Sequence, residues 1–188
     1  MLDVANGLAI YCAQYCKGDY KDKYITFSAR PQFVDLSTAD SLHDKLKLAF
    51  SYHEIANTNI EAVFDIILKT AVNTHAKQEE IPEKVLIISD MEFDAATRGF
   101  MSDTLFDNIE REFKANGYTV PKLVFWNVAS RTNTIPVTQS ESGVNLVSGF
   151  SVNVLKMVQN GRLDPYTNLV DMLQSERYKP ISEAIQRY

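Results

Sequence analysis

The feature that most constrains this chain is the run at residues 85–94, VLIISDMEFD. It opens with Val85, Leu86, Ile87 and Ile88, all apolar and mostly β-branched. Such a run predicts a short strand buried on both faces, as in a parallel sheet covered by helices. Ser89 follows, and then an acidic tip of Asp90, Glu92 and Asp94. Open α/β sheets place their ligand sites at the C-terminal ends of such strands.

The elements around this run set the architecture. Residues 2–16 carry Ala5, Leu8, Ala9, Cys12 and Cys16 at helical spacing, with Gly18 as a stop. Residues 24–28 and 33–36 are strand candidates separated by Arg30-Pro31, so they predict an antiparallel hairpin at a sheet edge. Ser37 and Thr38 predict a cap for a helix reaching Tyr52, with Leu42, Leu46, Ala49 and Phe50 facing inward. The clearest helix carries Ile60, Val63, Phe64, Ile67, Leu68 and Ala71, and Thr58 and Glu61 have capping-box spacing at its start. After the acidic tip, Ser102 starts a helix with Leu105, Phe106, Ile109 and Phe113 inward, and Gly117 ends it. Residues 122–128 and 144–147 predict two further strands, and a helix is expected near residues 151–159. Asp164-Pro165 and Lys179-Pro180 predict two more helix starts. The expected fold is α/β: a three-layer sandwich around a mostly parallel, doubly wound sheet with an antiparallel edge strand. A length of 188 residues suits one domain, with extra helices from about residue 160.

Composition narrows the functional classes. The net charge is -5 and no basic cluster dominates, which argues against direct RNA binding by this chain. No apolar run reaches the roughly 18–20 residues of a membrane span, and the N-terminus lacks a basic signal-peptide region. A cytoplasmic protein is expected. Cys12 and Cys16 share a helix face, where disulfide geometry is unfavourable, and read as core-facing thiols in a reducing compartment. His43, His53 and His75 are dispersed and read as surface or helix-end residues. There is no P-loop, GxGxxG, GxSxG or HExxH.

Asp90, Glu92 and Asp94 alternate, so an extended chain would present all three carboxylates to one side, either to a hard cation or to solvent. The Thr58 hydroxyl could cap its helix, coordinate a cation, or do the first when no metal is bound.

Taken together, Thr58 in NTNIEAVF, the VLIISD run ending at Asp90, LVFWNV and VNLVSGFS resemble the von Willebrand factor A-type domain over roughly residues 1–160. More narrowly, SDMEFD, FWNV and LVSGFS resemble the A-type domain at the C-terminal end of an uncharacterised family related to Ro autoantigen-like RNA-binding proteins. That resemblance implies a Rossmann-like sheet with a metal-ion-dependent adhesion site, built from an Asp-x-Ser-x-Ser motif, a Thr and an Asp. Thr58 and Asp90 would be the second- and third-loop metal ligands. The Asp-x-Ser-x-Ser motif is not in this sequence, so the chain reads as starting late relative to that family. Two oxygen ligands would hold Mg²⁺ only weakly, with water filling the other positions.

The resemblance implies a non-enzymatic protein-interaction module with a partial metal site and a protein partner. An accessory domain of an RNA-associated protein is the alternative, and a metal-dependent hydrolase using Asp90, Glu92 and Asp94 is a third reading. Without the family's first strand, the strands at residues 24–28 and 85–89 must pair directly or leave a gap, with a homodimer or a rearranged sheet as the consequence.

Overall fold

A computed structural model describes residues 2–26, 28–52, 59–89, 103–128, 144–148, 155–156, 158 and 164–185. They fall into two compact units, residues 1–146 and 147–188.

The first unit begins with helix α1 (Leu2–Ala13), which stops three residues before the expected end at Cys16. Its inward stripe is Ile10 and Ala13, in line with Asn6, rather than the expected Ala5–Cys12 face. Strands β1 (Lys23–Ile25) and β2 (Phe33–Asp35) form the expected antiparallel pair, with Tyr24 opposite Val34. Helix α2 (Leu42–Ser51) starts later than Ser37–Thr38 would place it. Ser41 is the cap, accepting from the Asp44 amide at 3.1 Å, while Ser37 donates its amide and hydroxyl to Asp35. Ala49 is buried and Leu46 packs beside it, as expected, while Leu42 and Phe50 are exposed, against expectation. Val34, Leu36, Ile10, Ala13 and Ala49 close one apolar cluster.

Helix α3 (Ile60–Thr74) follows its sequence pattern without exception: Ile60, Val63, Phe64, Ile67, Leu68 and Ala71 are all buried. Each large aliphatic or aromatic side chain in that stripe contributes about 1.5–3 kcal/mol of burial. Two tyrosines tie the helix to distant chain. Tyr20 donates its hydroxyl to the Ile67 carbonyl at 2.8 Å, and Tyr118 donates to the carbonyls of Ala71 and Ala76 at 3.2 and 3.0 Å. His75 ends α3 in the left-handed region at φ 53°.

Strand β3 (Lys84–Ser89) runs parallel to β4 (Lys122–Asn127), with Ile87 opposite Phe125 and Ser89 opposite Asn127. Between them lies helix α4 (Asp103–Ala115), whose Ile109 and Phe113 are buried. It ends as expected at Gly117, φ 81°, in a Schellman motif: the Tyr118 amide bonds to the Phe113 carbonyl and the Gly117 amide to Lys114. Strand β5 (Val144–Ser148) completes a small parallel sheet of order β3-β4-β5. The class is therefore mixed helix and strand, with a parallel three-stranded sheet and a separate antiparallel pair.

One expectation for β3 fails. In β4 the apolar centre Leu123, Val124, Phe125 and Trp126 is wholly buried, but in β3 only Ile87 is, and Val85, Leu86 and Ile88 are half-buried. Both strands carry four consecutive apolar residues. Among the described residues β4 lies between two strands, whereas β3 has a partner on one side only.

In the second unit, helix α5 (Pro165–Leu173) starts as expected, with Asp164 accepting from the Thr167 amide at 2.7 Å and Pro165 at the first helical position. Helix α6 (Lys179–Ile185) follows. Tyr166, Leu169, Met172 and Leu173 are exposed on α5. The expected helix near residues 151–159 and the cap at Ser102 fall mainly outside the described residues. Among the described residues no helix is long and apolar enough to cross a membrane.

Burial of phenol groups gives the fold a pH limit. Desolvation, helped by the neighbouring Tyr118 and Asp19, pushes Tyr20 up to about 12, and desolvation with Tyr52 nearby does the same for Tyr24. Both hold their protons more tightly folded than unfolded, where the value is about 10. Their contribution is therefore complete below pH 10 and lost as pH rises toward 12. We expect far-ultraviolet circular dichroism to show an alkaline unfolding transition in that window, with Tyr24→Phe moving its midpoint upward. A midpoint unmoved by that substitution would remove Tyr24 from the linkage.

Candidate functional site

The C-terminal end of the parallel sheet is the candidate site. Strands β3 and β4 end level: Ser89 pairs with Asn127, and the Val128 amide donates to the Ser89 carbonyl at 3.0 Å. Asp90 is the next residue after β3. Its own placement, and those of Glu92 and Asp94, lie outside the described residues.

Thr58 also lies outside the described residues, but its neighbour does not. Asn59 caps α3, with its side-chain oxygen accepting from the Ala62 amide at 3.0 Å. The expected Thr58–Glu61 capping box is thus replaced by a cap one residue later. An Asn side chain caps as well as a Thr, so the cap does not call on the Thr58 hydroxyl. Glu61 sits in the first turn, where the helix dipole favours negative charge.

A pair of hydroxyls near this helix start was not singled out from the sequence. Thr26 and Ser28 follow β1, are both buried, and lie 3.4 Å apart. Thr26 accepts from the Gln32 amide at 3.1 Å, and the Ser28 carbonyl accepts from the Asn59 amide at 3.2 Å. The backbone that leaves β1 is thereby fixed to the start of α3. The alternation Thr26-x-Ser28 was the available signal, since residues two apart share a strand face.

The remaining candidates behave as structural residues. Cys12 and Cys16 are free and half-buried. Burial, then the adjacent Cys16, pushes the Cys12 thiol up to about 11, and burial followed by the Asp22 charge raises Cys16 as well. Neither is a thiolate nucleophile near neutral pH. His43 and His75 are exposed, and His53 lies outside the described residues. Among the described residues no group of three or more His, Cys, Asp or Glu is positioned to hold a metal ion.

Comparison with known proteins supplies the classification. The fold class and the strand-end rim belong to a chain whose residues 1–184 match a family described as a domain of unknown function (DUF7788), and the chain belongs to that family. It is 31% identical over 182 residues to Uncharacterized protein L728 of Acanthamoeba polyphaga mimivirus. The match covers 96% of this chain and 32% of that protein, so the chain spans about a third of its relative's length. No solved structure matches.

Proposed function

We propose that this chain is a non-enzymatic protein-interaction module of the von Willebrand A type. In this reading the helices lie on both sides of a doubly wound sheet, and the partner binds at the C-terminal rim of β3 and β4. Thr58 and Asp90 are the oxygen ligands of a partial metal-ion-dependent adhesion site, and a carboxylate from the partner completes the Mg²⁺ coordination.

The observation that carries the reading is the level ending of two parallel strands at Ser89 and Asn127, with Asp90 next in the chain. Strand β3 ends at Ser89, on the side of the sheet where open α/β folds bind ligands. The cap at Asn59 supports it as well, since α3 does not depend on the Thr58 hydroxyl for its first turn.

Titration calorimetry with MgCl₂ tests the proposal. We expect weak binding by the wild-type chain, with a Kd on the order of 1 mM, as suits a site with few protein oxygens. Asp90→Ala should weaken it at least ~10-fold, the scale of losing one charged ligand from a two-ligand site. The thermal midpoint in EDTA should not change. Wild-type affinity in Asp90→Ala would sink the site assignment. Salt-dependent retention of RNA by the isolated chain would favour the RNA-associated alternative instead.

A further inference from the structure

The chain holds three Asn-Gly dipeptides, at residues 6–7, 116–117 and 160–161, and the last lies outside the described residues. Asparagine is a heat-labile residue. It is most so before glycine, where no Cβ hinders the backbone nitrogen beside the side-chain amide. The first two dipeptides both follow alanine, so Ala-Asn-Gly occurs twice, and the structure gives the two copies opposite surroundings.

Asn6 and Gly7 lie in the middle of α1, where each backbone amide is held by the carbonyl one turn back. The Asn6 side-chain nitrogen is buried and has no hydrogen-bond partner. Asn116 and Gly117 are exposed and follow Ala115, the last residue of α4. A Cβ at either glycine would meet nothing within 4 Å, so crowding does not separate the two sites. The backbone does. Gly117 stands in the left-handed region, and its amide reaches back only to the Lys114 carbonyl at 3.0 Å. The Asn116 amide is shared between the carbonyls of Glu112 and Phe113, at 3.3 and 3.1 Å. The Asn116 side chain donates to the same Glu112 carbonyl at 2.9 Å. These are terminal bonds on exposed residues, and such bonds open at little cost in free energy.

We propose that Asn116-Gly117 is a self-modification site, where the chain converts asparagine to aspartate and isoaspartate with water as the co-reactant. When the last turn of α4 opens, the Gly117 nitrogen loses its proton to solvent and attacks the Asn116 Cγ. The N–Cγ bond forms, the Cγ–Nδ2 bond breaks, and Nδ2 takes up a proton and leaves as ammonia. Water then opens the five-membered imide at one of its two carbonyls. Opening at the backbone carbonyl leaves the chain running through Cγ, which is isoaspartate, with one extra backbone carbon.

The product alters what this turn holds. Tyr118 donates its amide to the Phe113 carbonyl at 2.9 Å and its hydroxyl to the carbonyls of Ala71 and Ala76. An added atom between residues 116 and 117 moves Tyr118 out of register with Phe113 and breaks the Schellman motif. The new carboxylate no longer donates to Glu112. It also puts negative charge at the negative end of the helix, four residues from the Glu112 side chain. Deamidation is thus a slow, one-way release of Tyr118 from α3. The site lies where the chain enters β4, and it stands whether or not the loop rim binds metal.

Mass spectrometry of tryptic peptides, after the full chain is incubated at mildly alkaline pH, tests the proposal. Residues 1–17 and 115–122 fall in separate peptides. The amide-to-acid mass gain should accumulate at 115–122 at least ~10-fold faster than at 1–17, because a helix end opens more readily than a helix middle. In urea the two rates should converge. Asn116→Gln should suppress the gain at 115–122, since its imide would be six-membered. Hydrogen exchange on the aged chain should show the Tyr118 amide exchanging ~10-fold faster than in the fresh chain, through loss of its bond to Phe113. Asn116→Asp carries the charge without the longer backbone, and should lower Tm by only about 1–4 °C with the Tyr118 amide still protected. Equal rates at the two sites in the native chain, a rate difference that persists in urea, or a Tyr118 amide as protected after ageing as before would overturn the proposal.

Discussion

Phe64→Ala is expected to lower the stability of the first unit by about 3–5 kcal/mol, the range for emptying a buried aromatic site. Phe64 is 2% exposed at the centre of α3's inward stripe. Its ring meets Phe113 of α4 edge to face, with centroids 6.2 Å apart at 81°. The substitution removes the hydrophobic transfer energy and leaves a cavity between two helices that other contacts hold apart. It also removes the ring pair, worth about 0.5–1.5 kcal/mol beyond area. Urea unfolding should show a lower midpoint with an unchanged slope. A double-mutant cycle with Phe113→Leu should show that the two effects do not add. A loss under about 1 kcal/mol would mean that α3 and α4 do not pack as described.

The second large effect compares two residues that face each other across one ladder. Ile88 and Trp126 are register partners on β3 and β4. Trp126 is fully buried and Ile88 half-buried. Trp126→Ala should therefore cost about 3–5 kcal/mol and Ile88→Ala about 1–2 kcal/mol, near the bottom of the range for aliphatic truncations. Chemical denaturation of both variants in the same buffer measures the difference. Equal costs would place β3 inside the sheet rather than at its edge.

These two predictions mark where sequence reading succeeded and where it ran out. Helix α3 was legible because its apolar positions repeat without a gap and its face is set by local geometry. The C-terminus of α4 was legible because a glycine at positive φ is a local requirement. β3 and β4 could not be told apart because each is an unbroken apolar run of four, and burial depends on what lies on the far side of each strand. The start of α2 was misplaced because Ser37, Thr38 and Ser41 are all competent caps, and Asp35 claims Ser37 first. The cap of α3 moved by one residue because Thr58 and Asn59 are adjacent and chemically able to serve.

At the candidate site, sequence reading drew attention to Thr58 and Asp90, and the described geometry reaches their neighbours Asn59 and Ser89. The hydroxyls of Thr26 and Ser28 went unremarked because residues 24–28 were read only as a strand, and the strand ends at Ile25. Asn6 went unremarked for a different reason. The apolar stripe of α1 was drawn through Ala5, Leu8 and Cys12, and the true inward face, with Asn6 on it, is rotated away from that line.

The two tyrosine hydroxyls that hold α3 have a consequence for how the first unit comes apart. Each joins residues far apart in sequence: Tyr20 reaches forward 47 positions to Ile67, and Tyr118 reaches back 47 to Ala71. Both therefore close long loops onto the same helix, from opposite directions along the chain. Such closures are entropically costly to form and vanish once the helix loses its place. Neither the segment before β1 nor the segment before β4 can peel away alone without surrendering a buried hydroxyl. The central helix thus acts as a clasp, and residues on either side of it should open together as one cooperative block rather than in turn.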